Sequence, residues 1–224
     1  MGGIVRAWVD GWVVSRGAAP PTPEPWGFTV DVGQPEQVSR HVFASVGDDV
    51  DAAKVREVAA GVTGAGVWLK VFRHPAAVGG WLGPGWWVDP DPGWLMTVPL
   101  RSAAGPVEAP EGYRLRTWTR GGVTHVLVAA PDGSFAARGQ VAPTGATAVL
   151  DRIETAPGQR RRGLGSVVVR TLEAVAAAEG ARTGVLAGTP PGRALYESLG
   201  WRVVAPMTSA RFTGADGATE DAGT

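Results

Sequence analysis

The chain contains no cysteine and few histidines. Without cysteine, disulfides, thiolate catalysis and cysteine-ligated metal sites are all excluded. The three histidines, His41, His74 and His125, lie far apart in the sequence and share no spacing typical of metal ligands. The sequence therefore predicts no metal site.

Long apolar runs and an excess of charge of one sign are also absent. No apolar run reaches the roughly 18 residues of a membrane-spanning helix. Asp10 interrupts the N-terminal apolar stretch, which has no signal-peptide cleavage pattern, and Arg6 breaks an N-myristoylation motif. Because 21 basic residues balance 21 acidic ones, no general attraction to nucleic acid or a membrane is expected. We predict a cytoplasmic protein, and the near-replacement of lysine by arginine is typical of a high-GC bacterial genome.

Hydrophobic periodicity divides the chain into two lobes. An N-terminal helix is predicted, followed by mixed strands and helices, and then by a linker rich in Ala, Gly and Pro. The second lobe is predicted as four antiparallel strands, helix, strand, helix and two short strands near 201–204 and 209–212. The predicted fold class is α/β (α+β), a mixed, mostly antiparallel sheet flanked by helices. The first lobe, linker, second lobe and disordered tail are predicted at residues 1–100, 101–112, 113–213 and 214–224.

An arginine- and glycine-rich segment precedes the predicted helix that begins at Leu164. The first backbone N–H groups of a helix have no partner within it and carry partial positive charge, so they attract anions. Gly163 and Gly165 have no Cβ and would let an anion approach the main chain closely. Permanent charge is added by Arg160, Arg161 and Arg162. The segment indicates a pyrophosphate-sized ligand, and the alternative is a solvated loop in which the glycines only turn the chain.

Two other phosphate-binding loops do not match this segment. A dinucleotide-binding fingerprint would need a third glycine where the chain has Val168. A nucleoside-triphosphate loop would need Gly-Lys-Ser or Gly-Lys-Thr, and neither Lys54 nor Lys70, the only lysines, lies in such a motif.

A second motif lies further along the chain, in the segment Ala194-Leu195-Tyr196 and the following Leu199-Gly200-Trp201. The two segments together resemble the GNAT superfamily of acyl-CoA-dependent N-acetyltransferases. Arg160, Gly163 and Gly165 match the (Gln/Arg)-x-x-Gly-x-(Gly/Ala) signature of that family, and the later segment matches its second motif in a looser form. The combination is far more specific than either half.

The resemblance implies acetyl-CoA as cosubstrate and no metal. The pantetheine arm and acetyl carbonyl would pair with the backbone of Ile153, Glu154 and Thr155. Tyr196 would protonate the departing thiolate, because a phenol keeps its proton at neutral pH; the alternative is an aromatic packed on an apolar helix face. Thr189 stands where the family often has Asn, which implies weaker cofactor contact without loss of activity. The pyrophosphate would bind backbone N–H groups of Arg161, Arg162, Gly163, Leu164, Gly165 and Ser166.

A general base must accept the proton of the amine. Glu154 and Asp151 lie on the strand that leads to the cofactor loop. Because side chains alternate along a strand and the separation is odd, the two are not expected on one face. Glu154 is our candidate base, and the alternative is a solvated strand carboxylate.

The first lobe is predicted to be a degenerate copy of the second. An ungapped alignment that places Leu69 on Leu186 also places Leu82 on Leu199. In this alignment Val46 and Asp48 replace Gly163 and Gly165, so they would block and repel a phosphate. One cofactor site per chain is therefore expected. Most tryptophans lie in this lobe and are expected in the core; an alternative has Trp86 or Trp87 walling an acceptor pocket between the lobes.

Three functions remain open from the sequence. The first is an N-acetyltransferase that moves an acetyl group from acetyl-CoA to a primary amine of a small molecule or amino acid by direct attack. The second is a protein N-terminal or lysine acetyltransferase, since residues 196–200 look like the motif of ribosomal-protein acetyltransferases. The third is a catalytically silent acyl-CoA-binding module. The acceptor, the acyl chain length and a homodimer are left open.

Overall fold

The computed structural model describes residues 2–101 and 107–214. The predicted disordered tail after Gly214 and residues 102–106 of the predicted linker lie outside the described residues. The helices are α1 (Gly2–Arg16), α2 (Ala52–Ala60), α3 (Pro75–Val78), α4 (Leu164–Ala178) and α5 (Pro190–Ser198). The strands are β1 (Thr22–Glu24), β2 (Gly27–Gln34), β3 (Gln37–Val46), β4 (Val67–Phe72), β5 (Trp86–Val88), β6 (Gly93–Pro99), β7 (Arg114–Arg120), β8 (Val123–Ala129), β9 (Phe135–Thr144), β10 (Thr147–Thr155), β11 (Thr183–Gly188) and β12 (Arg202–Phe212).

All of these strands form one twelve-stranded sheet in the order β1-β2-β3-β4-β12-β6-β11-β10-β9-β8-β7, with β5 paired to β12 beside this path. Two pairs are parallel, β3 with β4 and β10 with β11, and the other pairs are antiparallel. The predicted mixed, mostly antiparallel sheet flanked by helices is confirmed.

The two predicted lobes share this sheet by exchanging strands. Strand β6 ends just before residue 100, yet it lies between β11 and β12 of the second lobe. The C-terminal part of β12 in turn pairs with β4 and β5 of the first lobe. The order of two antiparallel strands, a helix, a parallel strand, a short helix and a final strand occurs twice, from β2 to β6 with β5 inserted and from β9 to β12. The lobe boundaries and the degenerate repeat stay predictions.

The C-terminal strand differs from its prediction. Strands near 201–204 and 209–212 were expected, whereas β12 is continuous through Pro206. Its first part pairs with β6 and its second with β4, so a change of partner replaces the expected turn, with a shift in register between Val203 and Ala205. Strands β1 and β5 were not predicted. Both have three residues, which is too short for a hydrophobic period to show.

The helices cover the two sheet faces unequally. Helices α4 and α5 pack on the second half of one face, and α2 and α3 pack on its first half. Helix α1 lies on the other face, where Trp8 and Val9 pack with Phe72 and Val149. It packs mainly against β3, β9, β10 and β11, so it lies over the middle of the sheet.

Helix α1 packs so closely on β10 that a glycine is required. A Cβ on Gly11 would lie 2.3 Å from Cγ2 of Val149. We expect Gly11→Ala to lower the free energy of unfolding by about 1–2 kcal/mol, because overpacking outweighs the better helix propensity of alanine. Urea denaturation measures the change. Gly3→Ala is the control, since a Cβ there meets nothing within 4 Å, and equal stability of the two variants would contradict the expectation.

Candidate functional site

A wedge opens in the middle of the sheet between two parallel strands. The ladder between β10 and β11 joins Thr147 to Thr183 and ends at Val149 and Val185. Beyond these residues β10 pairs only with β9, and β11 pairs only with β6. Ala156 donates its N–H to Ala136 of β9, so alternation along the strand directs the backbone N–H of Thr155 toward the wedge. Main-chain groups at the end of β10 are therefore available to an extended ligand.

The predicted anion cradle lies at the end of this wedge. A short 3₁₀ turn, Pro157–Gln159, leads to Arg161 and Gly163, which both have left-handed backbones with φ of 63° and 76°. Where residues with left-handed and right-handed backbone conformations follow one another, their consecutive N–H groups point into one concavity. Gly163 precedes the first residue of α4, and no side chain caps that end of the helix. The segment has the geometry that an anion requires.

The two glycines of this loop have different roles. A Cβ on Gly163 would meet nothing within 4 Å, so glycine suits this position for its left-handed backbone and leaves open space for a ligand. A Cβ on Gly165 would lie 2.8 Å from Cδ2 of Leu195 in α5. Close approach of an anion stays a prediction at both positions, and at Gly165 the small residue also allows α5 to pack against α4.

The arginines next to the cradle differ in their partners. Nε of Arg160 lies 3.5 Å from the carbonyl oxygen of Thr155. Arg162 donates to the hydroxyl of Tyr113 at 3.4 Å, and this hydroxyl donates to Gln159 at 2.7 Å. All three arginines of the segment are exposed. Tyr113 therefore ties the loop to the start of β7, while the guanidinium groups stay accessible to phosphate.

Tyr196 lies on the other flank of the wedge, on α5. Its ring packs beside Gly188 and Gly192, where a Cβ would approach the ring to 2.8 Å and 3.0 Å, and it contacts Trp201 at a centroid distance of 6.1 Å. The residue is 7% exposed, and its hydroxyl makes no hydrogen bond to any described residue while keeping access to solvent. Burial, with a smaller effect of the Asp151 charge, raises the pKa of Tyr196 to about 12. The phenol therefore stays protonated across the physiological pH range.

Thr189 begins α5, and its hydroxyl oxygen accepts the N–H of Gly192 at 3.4 Å. Its hydroxyl proton remains available to a ligand in the wedge. Thr189, Thr155 and Tyr196 thus lie on elements that border the wedge, as does the cradle.

Asp151 and Glu154 share a face of the sheet, contrary to the expectation from alternation. A bulge shifts the register so that Asp151 pairs with Gln140 and Glu154 with Arg138, and Arg152 within the bulge has a φ of 52°. Gln140 and Arg138 are two residues apart and point the same way. Strict alternation could not predict this bulge, because its position depends on a positive φ at a non-glycine residue.

The two carboxylates have different surroundings. Asp151 accepts from Ser15 at 2.8 Å and from Nη2 of Arg16 at 2.8 Å, which ties β10 to the end of α1. Burial opposes ionisation of Asp151, but the bonds from Arg16 and Ser15 outweigh it and lower its pKa. Glu154 is half-exposed and pairs with Nη2 of Arg138 at 2.7 Å.

A cavity of about 480 Å³ lies on this same face, over β8, β9 and β10. The sequence did not single out its aromatic residues, because the register that gathers them across three strands cannot be seen in local patterns. The tryptophans considered for an acceptor wall lie elsewhere: Trp86 packs on Phe212 and Trp87 on Trp68. The cavity is lined by Trp118, His125, Val126, Leu127, Phe135, Arg138, Gly139, Gln140, Arg152 and Glu154.

Residues 2–101 and 107–214 contain neither a candidate metal-binding group nor a candidate membrane-spanning helix. No group of three or more His, Cys, Asp or Glu side chains is arranged to hold a metal ion. No helix in this part of the chain has the length and hydropathy needed to cross a bilayer.

Comparison with known proteins identifies similar sequences and folds. The model of the Acetyltransferase (GNAT) family matches residues 94–201. A GCN5-related N-acetyltransferase from Kribbella flavida has a similar fold over 95% of each chain, with a TM-score of 0.61 and 18% identity. A tandem GNAT protein from the clavulanic acid biosynthesis pathway gives a TM-score of 0.52 at 19% identity, over 65% of this chain and 63% of its own. No curated protein matches the sequence.

Proposed function

We propose, from the premise that residues 94–201 belong to the GNAT acetyltransferase family, that the chain moves an acetyl group from acetyl-CoA to a primary amine of a small molecule or amino acid. Family and fold indicate an acyl-CoA-dependent N-acyltransferase. The acetyl donor, the acceptor class and a cytoplasmic, bacterial setting belong to the proposal. The observation that carries it is the β10–β11 ladder, which ends at Val149 and Val185 beside the uncapped start of α4.

The residues at the wedge fit coenzyme A. The pyrophosphate would bind the N–H groups of residues 161–166, with nearby charge from Arg160, Arg161 and Arg162. The pantetheine arm would pair with the free edge of Ile153, Glu154 and Thr155 as an added strand does. The hydroxyl of Thr189 would donate to the same arm. The open space above Gly163 is an independent point in favour of this fit.

When bound, acetyl-CoA supplies a thioester carbonyl that a neutral amine attacks, so that an N–C bond forms and the C–S bond breaks. The backbone N–H of Thr155 is oriented toward the wedge and would donate to the carbonyl oxygen. Tyr196 would give its phenolic proton to the departing sulfur. Its raised pKa keeps that proton in place until the sulfur carries negative charge. No covalent enzyme intermediate is required.

Glu154 remains our candidate for the group that takes the proton of the amine, directly or through water. Asp151 is a weaker base, because Arg16 and Ser15 stabilise its ionised form and lower its pKa. Glu154 is the more exposed of the two and lines the cavity. Replacement of Glu154 by Gln should lower kcat and change the pH–rate profile, and an unchanged profile would exclude this role.

The first lobe lacks both features that support a cofactor site in the second. Its parallel strands β3 and β4 pair from Ser39 and Val67 to Val42 and Lys70 and, after an irregularity in β3, pair again at Val46 and Phe72, so the two strands rejoin at their ends. Asp51 caps α2 and accepts the N–H of Ala53 at 2.8 Å. A carboxylate of the chain itself thus takes the position that an anion would need.

Calorimetric titration of the monodisperse protein with acetyl-CoA tests this difference. We expect one equivalent bound per chain, because among the helices of the described residues only α4 has an uncapped start beside an open wedge. A stoichiometry of two would contradict the proposal that the first lobe binds no cofactor.

A thiol-release assay with acetyl-CoA and a panel of amines tests the proposed function. Release that depends on a small amine supports it, whereas release only with protein or peptide amines would favour a protein acetyltransferase. Binding of acetyl-CoA without release on any amine would indicate a silent binding module.

A further inference from the structure

The cavity over β8, β9 and β10 lies on the side from which an acceptor would reach the wedge. Helices α4 and α5 carry the cradle and Tyr196 on one face of the sheet. A Cβ on Gly139 would lie 2.6 Å from Val168 of α4, whereas the next side chain, Gln140, donates to Ser15 of α1 on the other face. The cavity lies on this second face, where α1 ends. An amine in it would approach the wedge opposite to Tyr196.

Exposed aromatic side chains form part of the cavity wall. Trp118 is 48% exposed and Phe135 is 40% exposed, although both are large and apolar. The ring of Trp118 stacks on His125, with centroids 5.1 Å apart and planes at 16°. Its other face is free to stack on a planar ligand. Exposed apolar side chains gathered around a concave site mark a binding surface.

The charges in the cavity leave one arginine without a partner. Glu154 pairs with Arg138, while Arg152 makes no ion pair within the described residues. Arg152 also has a positive φ of 52°, a conformation that costs energy for any residue but glycine. Bulges beside binding sites commonly re-aim a side chain, and this one brings Arg152 to the cavity. A guanidinium in that place suits a carboxylate.

We infer that this cavity binds the acceptor and that the acceptor is an aromatic α-amino acid. Its ring would stack on Trp118, its carboxylate would pair with Arg152, and its amine would lie near Glu154 at the wedge. The volume of about 480 Å³ suits a molecule of this size. This inference rests on the proposed function and adds the substrate class to it.

Steady-state kinetics with three matched acceptors test the inference. L-phenylalanine has both groups, phenethylamine lacks the carboxylate, and L-alanine lacks the ring. We expect kcat/KM for L-phenylalanine to exceed each of the others by about tenfold or more, because each loses one specific contact. The affinities of the three amines for protein saturated with CoA, measured by calorimetry, should follow the same order. This measurement does not depend on turnover.

Four variants assign the contacts. Arg152→Gln should remove the higher kcat/KM of L-phenylalanine relative to phenethylamine. Arg152→Lys, which keeps the positive charge, should retain part of this difference. Trp118→Ala should remove the higher kcat/KM of L-phenylalanine relative to L-alanine. Val38→Ala, which changes an exposed apolar residue of the first lobe, is the control and should leave all three acceptors unaffected.

Several results would overturn the inference. These are equal kcat/KM for the three amines, unchanged preferences in Arg152→Gln and Trp118→Ala, or a preference for a phenylalanine-initiated peptide amide over free L-phenylalanine. Release of thiol with other amines but not with these would refute the substrate class and leave the proposed function intact. No release with any amine would refute both.

Discussion

Tyr196→Phe is expected to lower kcat by about 100-fold or more while the affinity for CoA is unchanged. Phenylalanine keeps the ring that packs between Gly188, Gly192 and Trp201. The hydroxyl makes no hydrogen bond to a described residue, so its removal breaks no structural contact. In the proposed mechanism, only the proton for the departing sulfur is lost. Steady-state kinetics and calorimetric titration with CoA measure the two quantities.

The other tyrosine provides a control with the opposite result. Tyr113 forms hydrogen bonds with Gln159 and Arg162 and holds the proposed cofactor loop, so Tyr113→Phe should weaken CoA binding and leave kcat unchanged.

In the wild type, any alkaline limb of the pH–rate profile due to Tyr196 should lie near pH 12 rather than pH 10, because its raised pKa keeps the phenol protonated below that value. Full kcat in Tyr196→Phe would exclude the phenol as the acid.

The sequence predicted the features that depend on local pattern. The start of α4 at Leu164 and the strand before it follow from glycine position and apolar period, and both are confirmed. The motifs around Gly163 and Tyr196 led to the family that matches residues 94–201. In each case a short segment contains all the information that is needed.

Features that depend on partners distant in sequence could not be predicted. Whether a Cβ fits at Gly165 depends on Leu195 of another helix. The bulge at Arg152 places Asp151 and Glu154 on one face, and it is visible only against the register of β9. Strand β6 pairs with β11 and β12, which both lie far from it in the sequence. These outcomes are set by tertiary packing rather than by local propensity.

Helix α1 supports the strand that borders the candidate site. Ser15 and Arg16 at the end of this helix hold Asp151 on β10, directly before the bulge. Gln140 on β9 donates to Ser15 as well, at 2.6 Å to its carbonyl oxygen. The end of α1 thus holds β9 and β10 together, beneath the cavity and at the edge of the candidate wedge.

Gly163→Asp is expected to weaken CoA binding by about 30-fold or more relative to Gly163→Asn, which corresponds to roughly 2 kcal/mol. Asn and Asp have the same shape, and both tolerate the left-handed backbone that Gly163 adopts better than other residues do. A Cβ at this position meets nothing within 4 Å, so neither variant should disturb the fold. The aspartate would place a negative charge at the cradle, as Asp51 does at the start of α2.

The comparison between the two variants separates the effect of side-chain charge from the effect of side-chain size. Calorimetric titration with CoA at low and high salt measures the affinity of each variant. The difference in affinity between the two variants should be smaller at high salt, because ions screen exposed charges. Urea denaturation should show Gly163→Asp to be at least as stable as Gly163→Asn, because a helix N-terminus favours a negative charge, and this result excludes unfolding as the cause. Equal affinity of Gly163→Asp and Gly163→Asn for CoA would show that the phosphates do not lie at this end of α4, and the placement of the cofactor in the wedge would then be wrong.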